Sequence, residues 1–165
     1  MYSVSAIKTV VDQVAALGEI TINSEHTMVI HGYEHLGPLS VNITVPNNLP
    51  KDNIPVALAG GIESGTIPQP NTYFTSPITF LTTINNETEK FFQDMICERN
   101  VKDRRTFDFT IYRGTPENHT MKWPCTKAYL FSFEPPEVDA EDRTSVFKYT
   151  GQISYHHFGS REGNI

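Results

Sequence analysis

Arg143 to Phe158 reads RTSVFKYTGQISYHHF, an alternating run long enough to cross a small domain as one strand. Phe147, Tyr149, Ile153 and Tyr155 fall on one face, and Lys148, Thr150, Gln152 and Ser154 on the other, because successive strand side chains point to opposite sides. The first face demands a core. The second has three destinations open to it: plain solvent, a ligand, or a surface that copies of the chain build together.

The same period recurs upstream. TMVIHGYEH reads as a strand, Gly37-Pro38 as a turn and LSVNITV as the returning strand, with Leu39, Val41, Ile43 and Val45 on one face; the pair is expected to be a hairpin. SPITFLTTI, TFDFTIYRG (Phe107, Phe109 and Ile111 alternating) and TKAYLFSFEPP read as further strands. Between them, Asn86 opens a helix, ETEKFFQDMICER, whose Phe91, Phe92, Met95 and Ile96 form a broad apolar face that must lie on a sheet. At the start, Val4, Ile7, Val10, Val11, Val14 and Leu17 recur at helical spacing before Gly18. That helix, residues 1–18, packs either on its own domain or on a neighbouring subunit.

Residues 46–77 keep no regular period and are punctuated by Pro46, Pro50, Pro55, Pro68, Pro70 and Pro77. A segment this long without its own period signals function or disorder. IPVALA and the stretch from Ile62 to Ile67 argue against pure disorder, and Gly60-Gly61 between them suits a tight bend. The expectation is a projecting hairpin arm whose Ile54, Val56, Leu58, Ile62 and Ile67 meet another chain, since they cannot all be buried locally. The whole is expected to be mainly β (α+β): an antiparallel barrel or sandwich of seven or eight strands with a packed helix, an N-terminal helix and a projecting arm. It forms a single domain, 1–165, ending in a flexible tail at 159–165.

Composition narrows the function classes. At 165 residues, 38% hydrophobic and 19% charged, the chain is an ordinary globular domain rather than a disordered one. Its net charge of −6 opposes tight binding to a nucleic-acid backbone. Cys97 and Cys125 form no closely spaced pair, which suits a reducing compartment. The opening residues lack the basic start and apolar core of a secretion signal, and no run is long enough to span a bilayer.

No motif for nucleotide binding, zinc proteolysis or serine hydrolysis occurs. His26, His31, His35, His156 and His157 show no metal-ligand spacing. Glu134, Glu137, Asp139, Glu141 and Asp142 cluster around prolines as a solvated loop. The basic run RNVKDRR, 99–105, reads as a salt-bridging surface. These features point away from an enzyme, and neither a metal nor a cofactor is expected.

The order of elements carries a resemblance. A leading hairpin runs into VPNNLPKDNIPVALAGG; a strand and a short polar break lead to ETEKFFQDM; KAYLFSFEPPEVDAEDRTSVFKYTGQISY closes the chain. In order and spacing, Met28 to Phe158 resembles the tail tube protein of contractile-tailed bacteriophages, related to the tubes of type VI secretion and of phage-like injection particles. The resemblance implies a barrel that forms hexameric rings stacked into a hollow tube inside a contractile sheath. It also implies an arm that reaches an adjacent ring. The expected partners are other copies of the chain, the sheath protein, baseplate or hub and terminator proteins, and transiently a tape-measure protein and DNA in the lumen. The expected location is the virion tail, with assembly in the host cytoplasm.

Under that reading Lys148, Thr150, Gln152 and Ser154 are candidates to face the lumen, and Val4 and Ile7 join the arm residues as candidate subunit contacts. The long N-terminal helix and the basic 99–105 link depart from the family pattern and bear on how the chain meets its neighbours. Two alternatives stand beside it: a tube-like baseplate or secretion-system ring protein, and a monomeric β-sandwich that binds carbohydrate through Trp123 and tyrosines.

Overall fold

The computed structural model describes residues 4–16, 25–49, 54–66, 70–97, 106–134, 136–139, 141 and 144–159. The chain runs α1 (Val4–Ala16), β1 (His26–Ile30), a 3-10 turn (Glu34–Leu39), β2 (Ser40–Asn42), β3 (Ile54–Leu58), β4 (Ile62–Thr66), β5 (Tyr73–Leu81), α2 (Glu87–Cys97), β6 (Phe107–Gly114), β7 (His119–Glu134) and β8 (Lys148–His156). Among the described residues six strands form one antiparallel sheet in the order β1-β6-β7-β8-β5-β2, while β3 and β4 pair only with each other.

β7 is the seam. Its first part pairs with β6 and its second part with β8, with register shifts in both ladders. Lys127, at left-handed φ 51°, lies where the strand passes from one layer to the other, so a single sheet folds over on itself. Phe109 of β6 meets Tyr155 of β8 edge-on across the fold, ring centroids 5.0 Å apart. α2 fills the remaining opening: Phe91 and Phe92 are fully buried against Phe80, Phe107, Phe133 and Tyr149. Met95 is buried with them, but Ile96, expected on the same face, is 40% exposed.

Gly151 explains how closely α2 approaches. A Cβ there would stand 2.8 Å from Leu130 Cδ1, 3.1 Å from Phe92 Cε1 and 3.1 Å from the Ser132 carbonyl oxygen. The glycine in the middle of β8 makes room for the phenylalanine of the helix.

Three expectations need correction. β1 and β2 are not a hairpin; they lie at opposite ends of the sheet, on β6 and β5. The link between them is a 3-10 turn holding Pro38, anchored by the buried Leu36 and Gly37 while Glu34, His35 and Pro38 stay exposed, so it carries the chain to the other end of the sheet instead of turning back. β2 stops after three residues because the backbone then finds other partners: the Thr44 N–H donates to Ser76 Oγ and its carbonyl accepts from the Tyr155 hydroxyl. Val41 accordingly points out, 51% exposed.

Second, the segment 46–77 is not all arm, because β5 already begins at Tyr73. Pro77 is accommodated where β2, paired with β5 only at Thr79 and Phe80, leaves that side of β5 free. Third, Phe147 precedes β8 and is 37% exposed instead of joining the core face. The first part of β7, His119–Cys125, is an added strand segment that Trp123-Pro124 conceals in the sequence. Ile67, the 99–105 run and the tail beyond Gly159 lie outside the described residues.

Candidate assembly surfaces

Antiparallel partners share a face, so the register defines what β8 presents outward. Tyr73, Thr75, Pro77, Thr79 and Leu81 of β5 stand opposite His156, Ser154, Gln152, Thr150 and Lys148. On the other side of β8, Tyr129, Ser132 and Glu134 of β7 oppose Ser154, Gln152 and Thr150. This outer face is dominated by hydroxyls, and they satisfy one another. Tyr73 and Tyr129 pair through their hydroxyls at 2.9 Å, Thr75 and Ser154 at 3.2 Å, and Thr79 and Thr150 at 3.3 Å. Hydrogen bonds with Ser154 and then Tyr129 hold the Tyr73 phenol below its ordinary range.

Of the four candidates for a lumen face, all lie on this face: Lys148 is exposed, Thr150 and Gln152 are half-buried, and Ser154 is buried beneath its hydroxyl neighbours. Lys148 and Glu134 are its formally charged residues and sit toward the same end. The opposite end is aromatic, with Tyr73, His156 and Phe158 in ring contact and Tyr129 beside Phe131. Tyr73, Thr75, Thr79 and Tyr129 were missed as members of this face. The β5 and β7 alternation contained them, but only register shows that they join the β8 row.

The arm is the second surface. β3 and β4 pair from Ile54↔Thr66 to Leu58↔Ile62, and Gly60 and Gly61 turn the chain at φ 89° and 77°, conformations that glycine adopts without strain. The hairpin and its bend are where the sequence placed them. Ile54, Val56 and Leu58 are exposed along it. Ile62 lies in β4, and Val4 and Ile7 lie in α1.

The third is a cleft of about 570 Å³ lined by His26, Met28, Ser40, Val41, Asn42, Ile43 and Val45. It opens between β1 and β2, the two ends of the sheet, so the fold-over stops short of a closed barrel there. None of these surfaces gathers catalytic groups. Among the described residues no three His, Cys, Asp or Glu side chains converge to hold a metal, and burial pushes the Cys125 thiol up, away from a nucleophile's range.

No family model and no curated protein matches the sequence. Shape does find counterparts: the fold is that of chains from the tubes and tube ends of contractile injection systems. A chain of the PVC sheath-tube complex, an extracellular contractile injection system in its extended state, superposes with a TM-score of 0.62 at 16% identity, covering 99% of this chain and 100% of that one. The cap that terminates the anti-feeding prophage tube gives 0.60 at 12% identity, covering 88% and 93%. The PVC sheath/tube terminator gives 0.58 at 16%, covering 85% and 94%. The β-rich body with a packed helix implied by the resemblance is the architecture found.

Proposed function

We propose that this chain is a structural subunit of an injection tube. It assembles as hexameric rings that stack into a hollow channel within a contractile sheath and attach to baseplate and terminator proteins. The observation that carries this reading is a shared fold over essentially the whole chain, joined to an arm whose apolar row is left exposed by its own domain. The arm reaches a neighbouring ring, and the β5-β8-β7 face lines the lumen. Satisfied hydroxyls and few cations suit a channel through which cargo, DNA in a phage tail, slides without adhering, since counterion-release binding needs many cationic contacts. Joining sheets side by side around a ring also removes exposed edges.

A second reading is a ring that ends or founds the tube, favoured by the near-equal match to the terminating cap, 0.60 against 0.62. Negative-stain electron microscopy of the purified chain over a concentration series separates the two. Stacked tubes are the expected result; single rings that never stack favour the cap, and a monodisperse monomer that also fails to assemble with a sheath protein removes both.

A further inference from the structure

The arm is joined to the body through two feet, and one side chain ties both. Asn48 lies before the arm and Asn71 after it. Asn48 Nδ2 donates to the Asn71 carbonyl at 2.9 Å and to the His157 carbonyl at 2.9 Å. The Asn71 N–H returns a bond to the Asn48 carbonyl at 3.1 Å, and the His157 N–H donates to Thr72 at 2.9 Å. Both acceptors of Asn48 are carbonyl oxygens, so only its NH₂ can serve them, and the chemistry itself fixes the orientation of the amide.

What Asn48 grips does not move easily. His157 follows directly on β8, its side chain is fully buried, and its Nδ1 stands 2.7 Å from the Pro124 carbonyl oxygen of β7. A single amide thus joins three segments: the chain entering the arm, the chain leaving it and the residue that follows β8. β2 ended at Asn42 and β5 starts at Tyr73, so the amide works beside two backbone bonds, Asn71 to Asn48 and His157 to Thr72, and not within a ladder of β2.

We propose that Asn48 is the positioning residue of the arm: it fixes where the two connecting segments leave the sheet, without contributing to any contact surface. Holding both feet reduces the freedom the arm must lose on docking, which is how pre-organisation raises affinity. The inference concerns the isolated chain and holds whatever the arm meets, so it is tested apart from the tube reading.

The test is amide hydrogen exchange on the dispersed full chain, with nitrogen-15 relaxation of residues 54–66. Asn48→Asp keeps the shape but turns acceptors toward two carbonyl oxygens. Asn47→Asp is the charge-matched control, because Asn47 Oδ1 already accepts from the Leu49 N–H and a carboxylate serves there equally well. In Asn48→Asp the Asn71 and His157 amides should exchange about tenfold faster or more, and the arm amides should gain disorder, while β6 keeps its protection. Asn47→Asp should match the wild type. Asn48→Ser, which deletes the donor without adding charge, should repeat the loss. Wild-type exchange and arm order in both Asn48 variants would overturn the proposal. So would loss of β6 protection in step with the feet, because Asn48 would then be a general stability residue.

Discussion

Ile54, Val56 and Leu58 on β3 and Ile78, Phe80 and Ile153 in the main sheet are alike in chemistry and in strand periodicity. The first three are 49%, 39% and 50% exposed, and the second three are 0% exposed. The sheet residues have a helix and a second layer across from them. Among the described residues the arm residues have only each other's hairpin, and two strands cannot bury a face alone. An apolar row therefore marks a face suited to being covered, whether by the chain itself or by another. The same letters mean stability in the sheet, and in the arm they mark the face to which the proposed function assigns assembly.

That contrast is sharpest when each region is damaged separately. Phe92→Ala empties the junction of α2, β5, β7 and β8 and should cost about 3–5 kcal/mol, read as a lowered denaturation midpoint; an unchanged midpoint would break the assignment of the helix face. Gly151→Ala overfills the same junction and should cost about 1–3 kcal/mol, and it should be partly rescued by shortening Leu130, whose methyl the new Cβ meets.

Tyr155→Phe should cost about 0.5–1.5 kcal/mol at neutral pH through loss of its bond to the Thr44 carbonyl. It should also soften alkaline unfolding. Burial, and then Cys125 beside it, raises the Tyr155 phenol above its ordinary range, and burial raises the Cys125 thiol. Both stay protonated in the native state while the unfolded chain ionises near ~8.5 and ~10, so stability should fall as pH rises through that window and hold below it. The variant should lose less stability between pH 9 and 11 than the wild type. Val56→Asp with Leu58→Asp should move the midpoint by less than ~0.5 kcal/mol yet abolish higher assembly in micrographs; normal tubes from that double variant would end the arm's role.

Legibility in the sequence followed the range of the interaction. β8 could be read from its own residues because alternation is local, and the arm's bend could be read because Gly60-Gly61 is a local turn signal. The partnership of β1 and β2 could not. Their patterns named a buried face but not the neighbour, and Leu36, which anchors the link to the core, looks like any other leucine. His119–Cys125 was hidden because Pro124 interrupts the strand signal, although the ladder continues across it as Thr110↔Pro124. The outer face was half legible: β8 named its own members, while the hydroxyl pairs joining it to β5 and β7 depend on register. Asn48 gave no signal at all, since an Asn-Asn pair between Pro46 and Pro50 reads as a turn.

The sharing of β7 between both layers has a mechanical meaning. Because one continuous backbone serves as a rung partner for β6 and for β8, a shift of either layer along its ladder is passed directly into the strand that holds the other. A body built on such a seam should open in one step, with β6 and β8 amides reporting a common opening energy. Force applied across one such body would be carried by a covalent chain as well as by side-chain packing.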